Sequence, residues 1–172
     1  MLIINEVLNK ELFQKCRGEL DSKIQEKCWS SSRESWQPNL STGISGSCMI
    51  ANVSDELGEL IYEEIRTYLP EHERVTCNFH VWQPLSGIAG HDDGHRSFGA
   101  TIYLNDEWPH NAGGWFVWED DESKESGIYK ALNPKRNMLV LNDNKEPHWV
   151  TSVAANPPYP RISIQIWGYK KT

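Results

Sequence analysis

The chain has no apolar run long enough to cross a bilayer: its opening Met1-Leu2-Ile3-Ile4 is cut off by Asn5-Glu6, too short for a signal-peptide core or a membrane span. Cysteine is sparse and unpatterned. Cys16, Cys28, Cys48 and Cys77 show no C-x-x-C spacing, which argues against a zinc ribbon or a redox pair and for buried free thiols in a reducing cytoplasm. Basic residues are in deficit, 17 against 24 acidic, for a formal net charge of −7, and no Lys/Arg cluster stands out. That balance disfavours nucleic-acid and membrane-surface partners. Internal repeats, low-complexity tracts and linkers are also missing. One domain over residues 1–172 is therefore expected, with 38% hydrophobic residues to fill its core.

What is present is aromatic weight and a change of periodicity. Eight tryptophans are many for 172 residues, enough for a core and part of a cavity wall. Ile3–Val7 reads as a short strand. A helix follows, with Asn9 as its cap and Leu12, Phe13, Cys16 and Leu20 on one face. Residues Ser30–Ser47, rich in Ser, Gly, Asn and Pro and carrying Trp36, suggest a long polar loop or loose hairpin able to act as a binding element. Ser54 or Asp55 caps a second helix, Leu57, Ile61, Ile65 and Leu69 form its stripe, and Pro70 stops it. From Val75 the period becomes two. Val75, Cys77, Phe79 and Val81 share a face, and further strands are expected at Phe98–Leu104, Gly114–Trp118, Ile128–Leu132, Asn137–Leu141, Trp149–Val153 and Arg161–Tyr169. Helices followed by strands give an α+β pattern, mainly β, with N-terminal helices supporting a sandwich or jelly roll.

His91-Asp92-Asp93 holds a His and an Asp two positions apart, so an extended segment turns both side chains one way, with Asp92 opposite. Alone, H-x-D occurs by chance in many proteins. His148, just after the apolar Met138–Leu141 segment, sits where a neighbouring strand can present it to the same cavity. Two imidazoles and one carboxylate are the ligand set that binds one face of an iron(II) octahedron and leaves three positions open. Arg161, thirteen residues later, opens an alternating segment in which Ile162, Ile164 and Ile166 face one way and Arg161, Ser163, Gln165 and Trp167 the other. That polar row is either a solvated outer face or the lining of a barrel mouth where a guanidinium fork binds a carboxylate. Alternation leaves both readings open. His95 follows H-x-D too closely to be preferred as a ligand, His72 and His110 read as solvated, and His80 reads as a structural hydrogen-bonder. Glu119–Glu122 reads as a solvated turn in preference to a calcium loop.

Four motifs in order resemble the 2-oxoglutarate/iron(II)-dependent dioxygenases of the prolyl-hydroxylase type, over about residues 75–170. They are H-x-D, the Thr101–Trp108 segment with its Tyr103-Leu-Asn105, the Gly113-Gly114 pair, and Asn142–Val150 with its histidine, followed by Arg161 and Trp167. The resemblance implies a double-stranded β-helix of the jelly-roll or cupin-like kind, with iron(II) held by His91, Asp93 and His148. It implies that Arg161 pairs with the distal carboxylate of 2-oxoglutarate, aided by Tyr103 and Ser163, with Thr101, Trp82 and Trp167 in the pocket wall. It further implies dioxygen as oxidant, ascorbate as an accessory reductant, and decarboxylation of the oxo acid coupled to hydroxylation of a C–H bond.

This chain departs from the resemblance in three places. Val81-Trp82-Gln83-Pro84 stands where the family often has a Tyr, Asn156–Pro160 lengthens the step from His148 to Arg161, and Trp167 fills the position where nucleic-acid demethylases carry a second Arg. Asp93, being neither Gly nor Ala, disfavours a halogenase. The expected substrate is a prolyl residue in a peptide or protein. The alternatives are a free amino acid or other small metabolite, and a non-catalytic β-barrel binding module.

Overall fold

The computed structural model describes residues 1–32, 43–94, 96–143 and 145–170. Trp36 and most of the Ser30–Ser47 loop lie outside these residues, as does His95. Among the described residues, twelve strands form two antiparallel sheets. The larger takes the order β1 (Leu2–Ile4), β10 (Leu139–Asn142), β7 (Phe98–Tyr103), β12 (Arg161–Tyr169), β5 (Arg74–Trp82), β4 (Cys48–Asn52) and β2 (Ser30–Ser31). The smaller runs β3 (Ile44–Ser45), β6 (Gly87–His91), β11 (His148–Val150), β8 (Phe116–Trp118) and β9 (Lys130–Leu132). This is the double-stranded β-helix that the resemblance implies, a jelly roll of the kind the strand pattern predicts. Helix α1 (Lys10–Glu26) is capped by Asn9, whose side chain accepts from Leu12 N, and Ser54 caps α2 (Asp55–Ile65) by accepting from Leu57 N.

Strand parity divides the interior in two. From the large sheet, Phe79 and Val81, Ala100 and Ile102, Leu139 and Leu141, and Ile164 and Ile166 pack with Leu12, Phe13, Cys16 and Leu20 of α1 and Leu57, Ile61 and Ile65 of α2. The opposite faces of the same strands turn toward the small sheet. There Trp82, Tyr103 and Val140 join Ile88, Phe116, Trp118 and Val150 in a second core. Strands β5, β7, β10 and β12 thus each place one residue set under the helices and the alternate set between the sheets.

Several boundaries differ from the sequence expectation. The first strand is Leu2–Ile4, stopping short of Glu6, whose φ of 53° breaks the extended run. Helix α2 stops at Ile65, a 3-10 turn carries Arg66–Tyr68, and Leu69 only half-buries against the core. Gly113 and Gly114 have φ of 67° and 64°, so the strand expected from Gly114 starts at Phe116. Asn137, at φ 55°, similarly delays β10 to Leu139. His148 opens β11 instead of preceding it, and that strand ends at Val150. Strand β9 is confined to Lys130–Leu132. Strands β4 and β6 were not anticipated, because Cys48–Asn52 and the glycine-bearing Gly87–His91 carry weak alternation.

Glu119–Glu122 is more than a solvated turn: Asp121 and Glu122 open a third helix, α3 (Asp121–Ser126). Asp120 caps α3 through Ser123 N and pairs with Lys130 Nζ at 2.6 Å. His72 is half-buried between the Tyr62 and Phe98 rings, while His110 is exposed as expected. Of the thiols, Cys16 and Cys48 are buried and Cys77 half-buried, but Cys28 is exposed. Among the described residues no helix is long and apolar enough to cross a membrane. Because Ile164 is fully buried on the helix side, Ile164→Ala is expected to destabilise the fold by about 2–5 kcal/mol, read by urea unfolding.

Candidate active site

The parity that sends Ile164 and Ile166 under the helices sends Arg161, Ser163, Gln165 and Trp167 into a cavity between the sheets. The polar row of β12 is therefore the lining of a barrel mouth, not a solvated face. Strand β5 adds His80 and Trp82, β7 adds Gly99 and Thr101, and β10 adds Val140 and Asn142. From the small sheet come Ile88 and His91 of β6, Phe116 of β8, and His148 and Val150 of β11.

His91 and His148 are register partners across the β6–β11 pair, with ring centroids 4.4 Å apart. Asp93 joins them, and one donor atom from each of the three lies within 4.8 Å of the others. Asp93 does not arrive by strand alternation. It lies beyond the end of β6 at φ 54°, a left-handed conformation that Asp tolerates better than most residues. The turn is closed by Arg96 N donating to Asp93 O at 2.8 Å, and Asp92 Oδ1 faces away to accept from Gly94 N. Gly99 makes room on the other side, since a Cβ there would stand 2.7 Å from Asp93 Oδ2.

The imidazoles are oriented by backbone carbonyls. His91 Nδ1 lies 2.9 Å from Ala89 O, and His148 Nδ1 lies 2.9 Å from Glu146 O. A carbonyl can only accept, so each Nδ1 carries the proton and each Nε2 keeps its lone pair for a cation. Asn142 secures the His148 segment by donating from Nδ2 to Glu146 O at 2.9 Å and accepting Glu146 N at Oδ1. Its Nδ2 also lies 3.0 Å from His148 Nδ1; both are donors that converge on the same carbonyl, which has two lone pairs to offer. The Phe116 ring stacks on His148 at 5.2 Å. Burial, then the neighbouring His91, lower the pKa of His148 and favour the neutral, ligating form.

Arg161 is 1% exposed, yet no carboxylate among the described residues pairs with it. Its Nη2 is 3.4 Å from the Tyr103 hydroxyl, its Nε has no hydrogen-bond partner, and its Cζ lies 5.0 Å from the Tyr103 ring. Burial, above all, lowers its pKa, and even so a guanidinium remains charged. A buried charge without a counter-ion is costly, and an orphaned donor beside it points to an absent anionic partner. Two devices hold this side chain in place. Asn105 accepts from Ile162 N at 2.7 Å and donates to Pro160 O at 2.9 Å, gripping the backbone on both sides of Arg161. Gly114 leaves space for its stem, because a Cβ there would stand 2.7 Å from Arg161 Cδ.

The other expected pocket residues are also gathered here. Tyr103 is fully buried and touches Arg161, and Ser163 pairs across to Tyr103 and His80. Trp82 and Trp167 form wall, while the Thr101 hydroxyl is bonded to Gln165 Oε1 at 2.7 Å. His80 is buried in the cavity wall; burial first, then Arg161 and Arg96, push its pKa down to about 3, so it stays neutral. Sequence reasoning missed Arg96, Asn142 and Phe116 as site residues. Gln165 was detectable from the β12 alternation, and Asn142 heads and Phe116 adjoins motifs already noted, but nothing in the local sequence marks Arg96.

Two neutral imidazoles and a carboxylate on one side, with an unpaired buried guanidinium in the same cavity, fit a divalent iron with a dicarboxylate cosubstrate. The comparisons with known proteins agree. A search of curated proteins finds no match. Among solved structures, a prolyl-4-hydroxylase from Pseudomonas putida aligns with a TM-score of 0.70 at 19% identity, covering 99% of this chain and 92% of that one. A prolyl hydroxylase from Trichoplax adhaerens, in complex with a hypoxia inducible factor peptide fragment, aligns with a TM-score of 0.73 at 18% identity, covering 98% and 83%. HygX from Streptomyces hygroscopicus, with nickel, 2-oxoglutarate and hygromycin B bound, aligns at 0.64 and 10% identity, covering 98% and 82%. At these identities the likeness establishes the fold. The profile of the 2OG-Fe(II) oxygenase superfamily matches residues 66–169, from the end of α2 through the last strand, and the chain belongs to that superfamily.

Proposed function

We propose that this 2-oxoglutarate- and iron(II)-dependent oxygenase hydroxylates a prolyl residue in a peptide or protein, using His91, Asp93 and His148 as metal ligands and Arg161 as the cosubstrate anchor. The observation that carries the site assignment is the buried, unpaired Arg161 guanidinium in the cavity where the three ligand side chains converge. Bound iron supplies the activation of dioxygen, coupled to decarboxylation of the oxo acid. The chain's own residues do the rest. His91 and His148 present Nε2 because carbonyls hold Nδ1, and Tyr103 and Asn105 keep Arg161 aimed into the cavity. Ser163 adds a hydroxyl beside that anchor, and Trp82 with the surrounding core excludes water. Support for a prolyl substrate comes from the two prolyl hydroxylases above, one of which was solved with a peptide. A second reading, a small-molecule substrate, is favoured by the likeness to HygX with its bound hygromycin B.

Purified protein supplied with iron(II), 2-oxoglutarate and proline-containing peptides is expected to give succinate and a peptide heavier by one oxygen. Turnover stimulated only by small molecules would favour the second reading, and no stimulated turnover with either class would refute both. His91→Ala and His148→Ala are each expected to abolish stoichiometric metal binding, measured by equilibrium dialysis; full retention by either variant contradicts the ligand assignment. Gly114→Ala, which displaces the Arg161 stem and burdens a position at φ 64°, is expected to raise the KM for 2-oxoglutarate at least tenfold while metal binding is kept. An unchanged KM would dissociate Arg161 from the cosubstrate.

A further inference from the structure

The two carboxylate oxygens of Asp93 have different neighbours. Oδ2 lies 3.6 Å from His148 Nε2, on the side where the three donor groups converge. Oδ1 is bonded to Nη1 of Arg96, a residue that no motif of the sequence marks. Arg96 is itself held from several directions. Its backbone N–H closes the turn onto Asp93 O, its side chain is only 10% exposed, and its guanidinium lies 4.2 Å over the Trp167 ring. The ring face attracts the cation and packs against it. Lys145 Nζ donates to Gly94 O at 2.8 Å and ties the same turn to the segment that leads to His148.

We propose that Arg96 is a positioning residue of the metal centre: by holding Oδ1 it makes Asp93 present Oδ2 alone to the metal. A carboxylate free to rotate can offer both oxygens to one cation and so occupy an additional coordination position. Arg96 removes that option and leaves the position open for cosubstrate and dioxygen. The charge-assisted bond also keeps the Asp93 carboxylate correctly turned before the metal arrives, which is the role of hydrogen-bonded partners behind ligating carboxylates. Trp167 completes the device, because it backs the guanidinium without offering it a competing acceptor. This inference rests on the assignment of His91, Asp93 and His148 as ligands.

The test is manganese(II) affinity of the purified chain, by competition with a fluorescent chelator, for wild type, Arg96→Met and Arg96→Lys, with folding followed by circular dichroism. Removing a cation next to a dication would, by relief of Coulomb repulsion alone, tighten binding. Loss of a partner that orients a ligand instead weakens it, typically about 10–100-fold. Arg96→Met is expected to bind manganese at least about tenfold more weakly than wild type, with Arg96→Lys between the two. Arg96→Met binding as tightly as wild type, or more tightly, overturns the proposal. If Arg96→Met does not fold, a crystal structure of the wild-type manganese complex decides. One Asp93 oxygen on the metal and the other on Arg96 is expected; both oxygens on the metal, or Arg96 turned away, overturns it. A wild-type chain that binds no stoichiometric manganese would fail the ligand assignment itself and take this proposal with it, whereas a bound wild type with an indifferent Arg96→Met fails Arg96 alone.

Discussion

Strand β12 is paired along nine residues to β5 and along six to β7, and this ladder is the constraint on which the rest of the structure depends. A one-residue slip would exchange its two faces, putting Arg161, Ser163 and Gln165 under the helices and Ile164 and Ile166 into the cavity. Burying the isoleucines against α1 and α2 forbids that slip. The apolar contacts that hold the helices to the sheet therefore also aim Arg161, the proposed cosubstrate anchor, into the cavity. Stability and site geometry share one register, so the core is part of the catalytic design without touching the chemistry.

Around that ladder the site is assembled from groups that are each held by something other than the ligand they await. The two histidines are turned by carbonyls, Arg161 is gripped through its backbone by Asn105, and Asp93 is held by Arg96. Such preorganisation means that the metal and dicarboxylate binding proposed for this cavity need not also order the side chains that line it. Gly99 and Gly114 serve the same end by absence: each omits a Cβ where Asp93 or Arg161 passes. Tyr103-Leu-Asn105 and Gly113-Gly114, recognisable in the sequence only as motifs, thus acquire physical reasons. The first supplies a hydroxyl to the Arg161 guanidinium and a grip on its backbone, and the second supplies a turn and a channel for its stem.

The helices, most strands from Val75 onward and both apolar stripes were legible in the chain because period and capping are local properties. Asn9 and Ser54 cap where expected, and Leu12, Phe13, Cys16 and Leu20 are buried together. Errors fell where local signal is thin or where tertiary pairing competes with it. Strand β6 contains two glycines and no clear alternation, and exists because β3 and β11 pair with it on either side. The acidic run after Trp118 looked like solvated charge, yet Asp120 and Lys130 turn it into a capped helix beside an edge strand.

By itself the sequence determined the candidate chemistry-bearing set, since H-x-D, a distal His and an Arg heading an alternating strand are patterns of residue type and spacing. It could not decide which face of β12 met water, because alternation has two equivalent phases until a core claims one of them. It could not reveal Arg96 either: its guanidinium reaches Asp93 Oδ1 only three residues back, through a left-handed turn that no periodicity encodes, and stacks over Trp167 on a distant strand. Those decisions belong to the tertiary structure, where burial selects the phase and the turn at Asp93 selects the partner.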